Sequence, residues 1–151
     1  MTTAKPFDIV AAARKDQLKM RDFYLGLFKG VHSDEVILEA AKTFAPNFKA
    51  IYFWGDVVDG AGWIEKTKWM RENCPQDSTQ KCIELQYEVV WQTEDHCQLF
   101  FKESWGGEGQ DGVLVTDSTA VYRRDASKPD GVALLYYQET KVDAETTMKM
   151  C

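Results

Sequence analysis

Lys81–Trp91 reads KCIELQYEVVW, and its alternation decides the fold class. Ile83, Leu85, Tyr87, Val89 and Trp91 fall on one side of an extended chain, and Glu84, Gln86, Glu88 and Gln92 on the other. A period of two marks a strand with one face buried. Such a face needs a cover, and the sequence supplies it upstream, in two amphipathic segments that precede every long strand. The implied architecture is a curved sheet wrapped over N-terminal helices, a shape that tends to enclose a pocket.

Downstream of Lys81 only strands are predicted. Lys81–Thr93 and Gln98–Trp105 form a hairpin across Glu94, Asp95 and His96, and the glycine-rich GGEGQDG at Gly106–Gly112 makes the next loop. Val113–Arg124 and Val132–Val142 form a second hairpin around SKPDG at Ser127–Gly131, whose proline and glycine suit a tight reversal.

Upstream, the first helix spans about Phe7 to Phe28, with Gly30 as its stop. Ile9, Ala13, Met20, Phe23, Tyr24 and Leu27 cover one arc, and Ala11, Leu18, Leu25 and Phe28 widen it, so the helix is mostly buried with Lys15, Lys19 and Asp22 on its wet side. Ser33 reads as the cap of a second helix with Asp34 and Glu35 in its first turn, ending before Pro46. Asn47–Trp54 is the first strand and Gly55–Val58 a short return strand. Asp59, Gly60 and Gly62 open a third helix through Trp63, Ile64, Thr67 and Met70, closed by Asn73 and Pro75.

With 151 residues, 44% hydrophobic and 28% charged, the chain has the composition of one soluble domain that buries a core without staples. The domain is expected to span residues 1–151, with its core at 7–142 and 143–151 a frayed tail. A net charge of −6 argues against nucleic acid as a partner. MTTAKPFDIVAAARKDQ has no uninterrupted apolar region, and no stretch approaches the roughly 20 apolar residues of a membrane span, so a cytoplasmic protein away from membranes is expected. Cys74, Cys82, Cys97 and Cys151 are too scattered for a zinc site or a CxxC pair, although Cys82 and Cys97 could meet across the hairpin. His32 and His96 fall in loops, and the absence of HxH or HxxxH spacing weakens both histidine catalysis and metal binding. No GxGxxG follows a strand into a helix. No metal and no cofactor are predicted.

The order helix, helix, short hairpin, helix and four long antiparallel strands, carried by FAPNFKAIYFWGDVVDGAGWIEKTKW at Phe44–Trp69, resembles the NTF2-like superfamily, the cone-shaped α+β barrels that include SnoaL-type cyclases and ketosteroid isomerase. The resemblance runs from Phe7 to Val142. It implies three helices packed in the concavity of a strongly curved, mainly antiparallel sheet of about six strands. It also implies a hydrophobic pocket and a homodimer joined through the outer sheet face, on a scaffold that hosts many functions. In the isomerase branch a helix tyrosine polarises the substrate carbonyl, and Tyr24 falls near that position. The carboxylate base of that branch falls at Tyr52, and the nearest acid is Asp56, so proton abstraction of that type would need a shifted hairpin register.

Other candidate polar groups lie on strands. Glu103 shares a face with Leu99, Phe101 and Trp105; if that face is concave, a carboxylate sits among aromatics and is tuned for acid–base work, whereas if Phe100 marks the inside, Glu103 faces water. Asp117, on a face with Val113, Val115, Thr119 and Val121, poses the same question. Either Tyr136 and Gln138 or Tyr137 and Glu139 line the last strand. Tyr24, Asp56 and Glu103 are thus the candidate acid–base groups. Tyr52, Trp54, Trp69, Trp91, Phe101, Trp105 and Asp117 are the candidate binding residues for a small apolar, aromatic or polycyclic molecule. The sequence supports two function classes: a small-molecule site, binding or of isomerase, dehydratase or cyclase type, and a noncatalytic assembly module.

Overall fold

Three side chains start the helices in the computed structural model, which describes residues 5–108 and 114–142. Asp8 accepts from the Ala11 amide at 3.0 Å and opens α1 (Ile9–Phe28). Ser33 caps α2 (Asp34–Ala40), which tightens into one 3₁₀ turn at Ala41–Thr43. Asp59 accepts from the Gly62 amide at 2.8 Å and opens α3 (Gly60–Asn73). Each cap satisfies an amide that the first helical turn leaves without a partner. Gly30, at φ +75°, takes the left-handed conformation that ends α1.

The strands are β1 (Phe44–Ile51), β2 (Val57–Val58), β3 (Lys81–Gln92), β4 (His96–Gly106), β5 (Leu114–Arg124) and β6 (Val132–Lys141). They form one curved sheet in the order β2-β1-β6-β5-β4-β3. Only β1 and β6 run parallel; the other pairs are antiparallel. α1 lies across β3 to β6 on the concave side, and α3 packs on β1 and β2. The core joins Phe23, Leu27 and Phe28 of α1 and Trp63 and Met70 of α3 to Leu99, Phe101, Tyr122 and Leu134 of the sheet. This α+β arrangement matches the expected fold class.

Three local expectations change. The first strand begins at Phe44 and ends at Ile51 rather than spanning Asn47–Trp54. Pro46 is tolerated because it falls where the ladder jumps from Phe44↔Leu134 to Lys49↔Tyr136, so no sheet bond is asked of its missing N–H. Tyr52, Phe53 and Trp54 belong instead to a turn closed by Gly55 N–H donating to Tyr52 O at 2.9 Å, with Gly55 at φ +94°.

The second change concerns β3 itself. Register shifts between Glu84 and Gln86 and between Val89 and Trp91 insert Leu85 and Val90 as extra residues, and each insertion reverses the face of the residues beyond it. Cys82, Glu84, Tyr87 and Val89 sit opposite the inward Trp105, Glu103, Phe101 and Leu99, while Ile83 and Trp91 face out opposite Ser104 and Gln98. The apolar set read as one buried face is therefore divided, with Ile83 59% and Trp91 41% exposed. Third, the cysteines do not meet: Cys82 pairs with Trp105 at one end of the hairpin and Cys97 with Gln92 at the other, and both thiols are free.

Of the two histidines, His32 lies in the loop between α1 and α2 as expected, whereas His96 does not lie in a loop. His96 is the first residue of β4. His32 stacks on Phe23 with ring centroids 4.7 Å apart, and its Nε2 lies 2.7 Å from the Phe23 carbonyl. Since a carbonyl only accepts, Nε2 carries the proton. The Gly106–Gly112 loop lies in part, and the 143–151 tail wholly, outside the described residues.

Candidate functional site

α1 and the concave sheet face enclose a cavity of about 60 Å³. Strand alternation determines what enters it. On β4, Leu99, Phe101, Glu103 and Trp105 all point inward and are buried, so Glu103, 3% exposed, does stand among aromatics. On β6 the inward phase is Tyr137 and Glu139. Met20, Arg21, Tyr24 and Phe28 of α1, Tyr52 and Trp54 of the turn after β1, and Met70 of α3 complete most of the wall.

The two cavity carboxylates have different surroundings. Arg21 lies 3.7 Å from Glu103 and 3.5 Å from Glu84, and Arg14 pairs with Glu84 at 2.7 Å. The Cys82 thiol donates to Glu103 at 3.4 Å. Burial pushes the Glu103 carboxyl above its ordinary range, and the thiol and Arg21 oppose the shift without cancelling it. Glu139 accepts from the Tyr137 hydroxyl at 2.9 Å and has no Lys, Arg or His nitrogen within 4.0 Å among the described residues. Burial, aided by the nearby charge of Glu103, pushes it up to about 7.

A hydroxyl pair faces these acids. Tyr24 and Tyr52 oxygens are 2.9 Å apart, and the Trp63 indole N–H donates to Tyr24 at 2.9 Å. Two hydroxyl protons share one mutual bond, so one O–H is left over whichever tyrosine donates. Neither hydroxyl has another hydrogen-bond acceptor among the described residues, and both side chains line the cavity. Burial moves Tyr24 up to about 12 and Tyr52 well above its usual value, so both stay protonated donors at neutral pH.

Of the residues singled out in the sequence, Tyr24, Tyr52, Trp54, Phe101, Glu103 and Trp105 meet in this cavity. Asp56 does not: it accepts from the Trp54 indole at 2.6 Å and pairs with Lys66 at 3.4 Å in the exposed turn. Trp69 lies on the exposed side of α3 beneath Lys66. Trp91 is on the outer face, donating to Gln98 at 2.6 Å. Asp117 sits on the outer face of β5 beside Lys102 at 3.6 Å, because Thr116, Ser118 and Ala120 are the inward residues of that strand. Arg21 was not among the sequence candidates, and Glu139 stood only as one of two phases. β6 opens with Val132, Ala133 and Leu134 all buried, so its alternation carries no phase.

No protein-family model matches the chain, and no curated protein matches it. Solved structures do. An NTF-2 like protein of unknown function from Pseudomonas aeruginosa superposes with a TM-score of 0.73 at 17% identity, over 87% of this chain and 99% of that one. The CaMKII hub of S. rosetta superposes at 0.64 with 12% identity, over 94% and 100%. An NTF2-like protein of unknown function from Pseudomonas putida gives 0.61 at 14%, over 91% and 92%. These likenesses span nearly the whole chain and match the helix-lined curved sheet described above: the fold is NTF2-like.

Proposed function

We propose that the chain binds a small, largely apolar molecule in the concave cavity and that the cavity is equipped for acid–base chemistry on it. The observation that carries this is the convergence of two carboxylates, Glu103 and Glu139, and one spare tyrosine O–H in a wall otherwise built of aromatic and aliphatic side chains. A carboxyl held near neutrality both gives and takes a proton at physiological pH, and a preorganised O–H stabilises a developing oxyanion. Isomerisation, dehydration and cyclisation all use that pair of capabilities. A cavity of about 60 Å³ favours a single compact ring over a polycycle unless Trp54, which is partly exposed, swings aside. Native mass spectrometry before and after mild denaturation tests the reading. Release of a defined small molecule by the wild type, and its loss in Phe101→Trp, which fills the cavity, is expected. Equal retention by that variant would sink the assignment.

A second reading is favoured by the outer sheet face. Ile83, Leu85, Val90 and Trp91 of the edge strand β3 are exposed together, more apolar surface than an unpartnered edge usually carries. On this reading the chain is a homodimer or an assembly module. Sedimentation equilibrium of the wild type and of Ile83→Lys/Trp91→Lys decides it: a dimer that becomes a monomer supports the module, and an unchanged monomer rejects it.

A further inference from the structure

The binding proposal leaves the ligand's charge open, and the balance of charges in the cavity constrains it. Arg21 is the one basic side chain among the described residues of the wall, and it is already shared between Glu84 and Glu103. Glu139 faces the same space with one hydrogen bond, from Tyr137, and no ion pair among the described residues. The side chains around it are electron-rich: Tyr24, Tyr52, Trp54, Phe101 and Tyr137 line the same cavity. Tyr52 stacks on Trp54 at 4.7 Å between centroids and lies 5.8 Å from Tyr137, which is 6.3 Å from Phe101. Aromatic faces attract cations through their quadrupoles, and a desolvated carboxylate attracts them through its charge.

We infer that the ligand of this cavity is a compact organic cation, an amine carried on an apolar or aromatic body, whose ammonium group pairs with Glu139 inside the aromatic wall. An anionic ligand would meet two carboxylates for one shared guanidinium. A neutral ligand would leave Glu139 half-buried with a single hydrogen bond, although a carboxylate withdrawn from water ordinarily needs fuller compensation. This inference rests on the pocket assigned under the proposed function, and the test separates the two.

The test is calorimetric titration at pH 8 with three probes of similar shape, benzylamine, benzyl alcohol and benzoate, against wild type and Glu139→Gln. Benzylamine is expected to bind the wild type at least tenfold tighter than benzyl alcohol, with benzoate weakest. In Glu139→Gln the benzylamine advantage disappears while benzyl alcohol still binds, which also shows that the variant is folded. Equal binding of the amine and the alcohol to the wild type overturns the cationic ligand and leaves the pocket standing. An amine preference that survives Glu139→Gln overturns Glu139 as its partner. No binding of any probe to folded wild type overturns the inference together with the pocket reading beneath it.

Discussion

Glu103 and Glu139 share one cavity and differ in what stands behind them. Glu103, on β4, is backed by the Cys82 thiol, Arg21 and the Arg14–Glu84 pair. Glu139, on β6, has a tyrosine hydroxyl and, among the described residues, no cation. Both are raised above the ordinary carboxylate range by burial, but the first sits in a network of a thiol and two guanidinium groups, and the second has only the Tyr137 hydroxyl among the described residues. Burial alone therefore does not mark a functional acid. Burial together with a missing counter-charge in an open cavity is the sharper sign.

The largest test of that difference is a pH comparison of stability. Glu139 is held at about 7 against an ordinary 4.5. Between those values the folded chain keeps a proton that the unfolded chain has lost, so this group's contribution to stability falls as pH rises through the window and levels off above it. The groups facing it, Tyr137, Glu103 and the Tyr24–Tyr52 pair, supply no positive charge to offset this. Glu139→Gln removes the penalty and is expected to raise stability at pH 8 by up to about 3 kcal/mol, with little change at pH 4.5. Urea unfolding at the two pH values measures it. A variant less stable at pH 8 would mean that Glu139 is a structural anchor like Glu103.

Arg21→Met should act in the opposite direction. It takes from Glu103 the only guanidinium within 4.0 Å among the described residues and leaves a 3% exposed carboxylate with a thiol for company. Removing one partner of a buried pair is costly, but Arg21 is itself partly exposed and Arg14 still holds Glu84. The expected loss is about 2 kcal/mol at pH 8. Adding Glu103→Gln to Arg21→Met should restore most of it, whereas a double variant as unstable as the single would place Arg21's role in packing.

Tyr137→Phe is smaller and more local. Its hydroxyl lies 2.9 Å from Glu139 and 3.2 Å from Ser118, and losing it should cost about 1 kcal/mol. Because that O–H favours the charged carboxylate, its removal should move Glu139 further upward, read by carbon NMR titration of the Glu139 carboxyl. A downward shift would show that another group compensates it.

The contrast between the two acids was only half legible in the sequence. Helix caps at Ser33 and Asp59, the return strand and the element order follow from local chemistry, and so did the α+β class. Faces were harder, because β3 and β5 depart in part from the rule that apolar residues face inward. β5 turns Thr116, Ser118 and Ala120 inward and leaves Val115 and Val121 outside, and β3 exposes Ile83 and Trp91. Two single-residue bulges cannot be located from composition, yet the one at Leu85 puts Glu84 inside and the one at Val90 puts Trp91 outside. Asp16 shows the same limit on a helix. It is buried and accepts from Tyr122 at 2.8 Å, a partner 106 residues away. Tertiary partners at that separation leave no local trace.

Asp117→Asn carries the smallest expected effect and marks the edge of the comparison. Asp117 and Glu139 lie on neighbouring strands of one sheet, but Asp117 points outward beside Lys102. Half-exposed pairs of this kind contribute about 0–1 kcal/mol, so unfolding should shift by no more than that, and benzylamine affinity should stay within twofold of wild type. If the chain dimerises through its outer face, the change should appear in the dimer dissociation constant instead, since neutralising one charge of an interface pair acts on association. A loss of amine binding in Asp117→Asn would show that charge on the convex face governs the cavity, and the distinction between a compensated and an uncompensated carboxylate would then have to be drawn across the sheet rather than within its concave side.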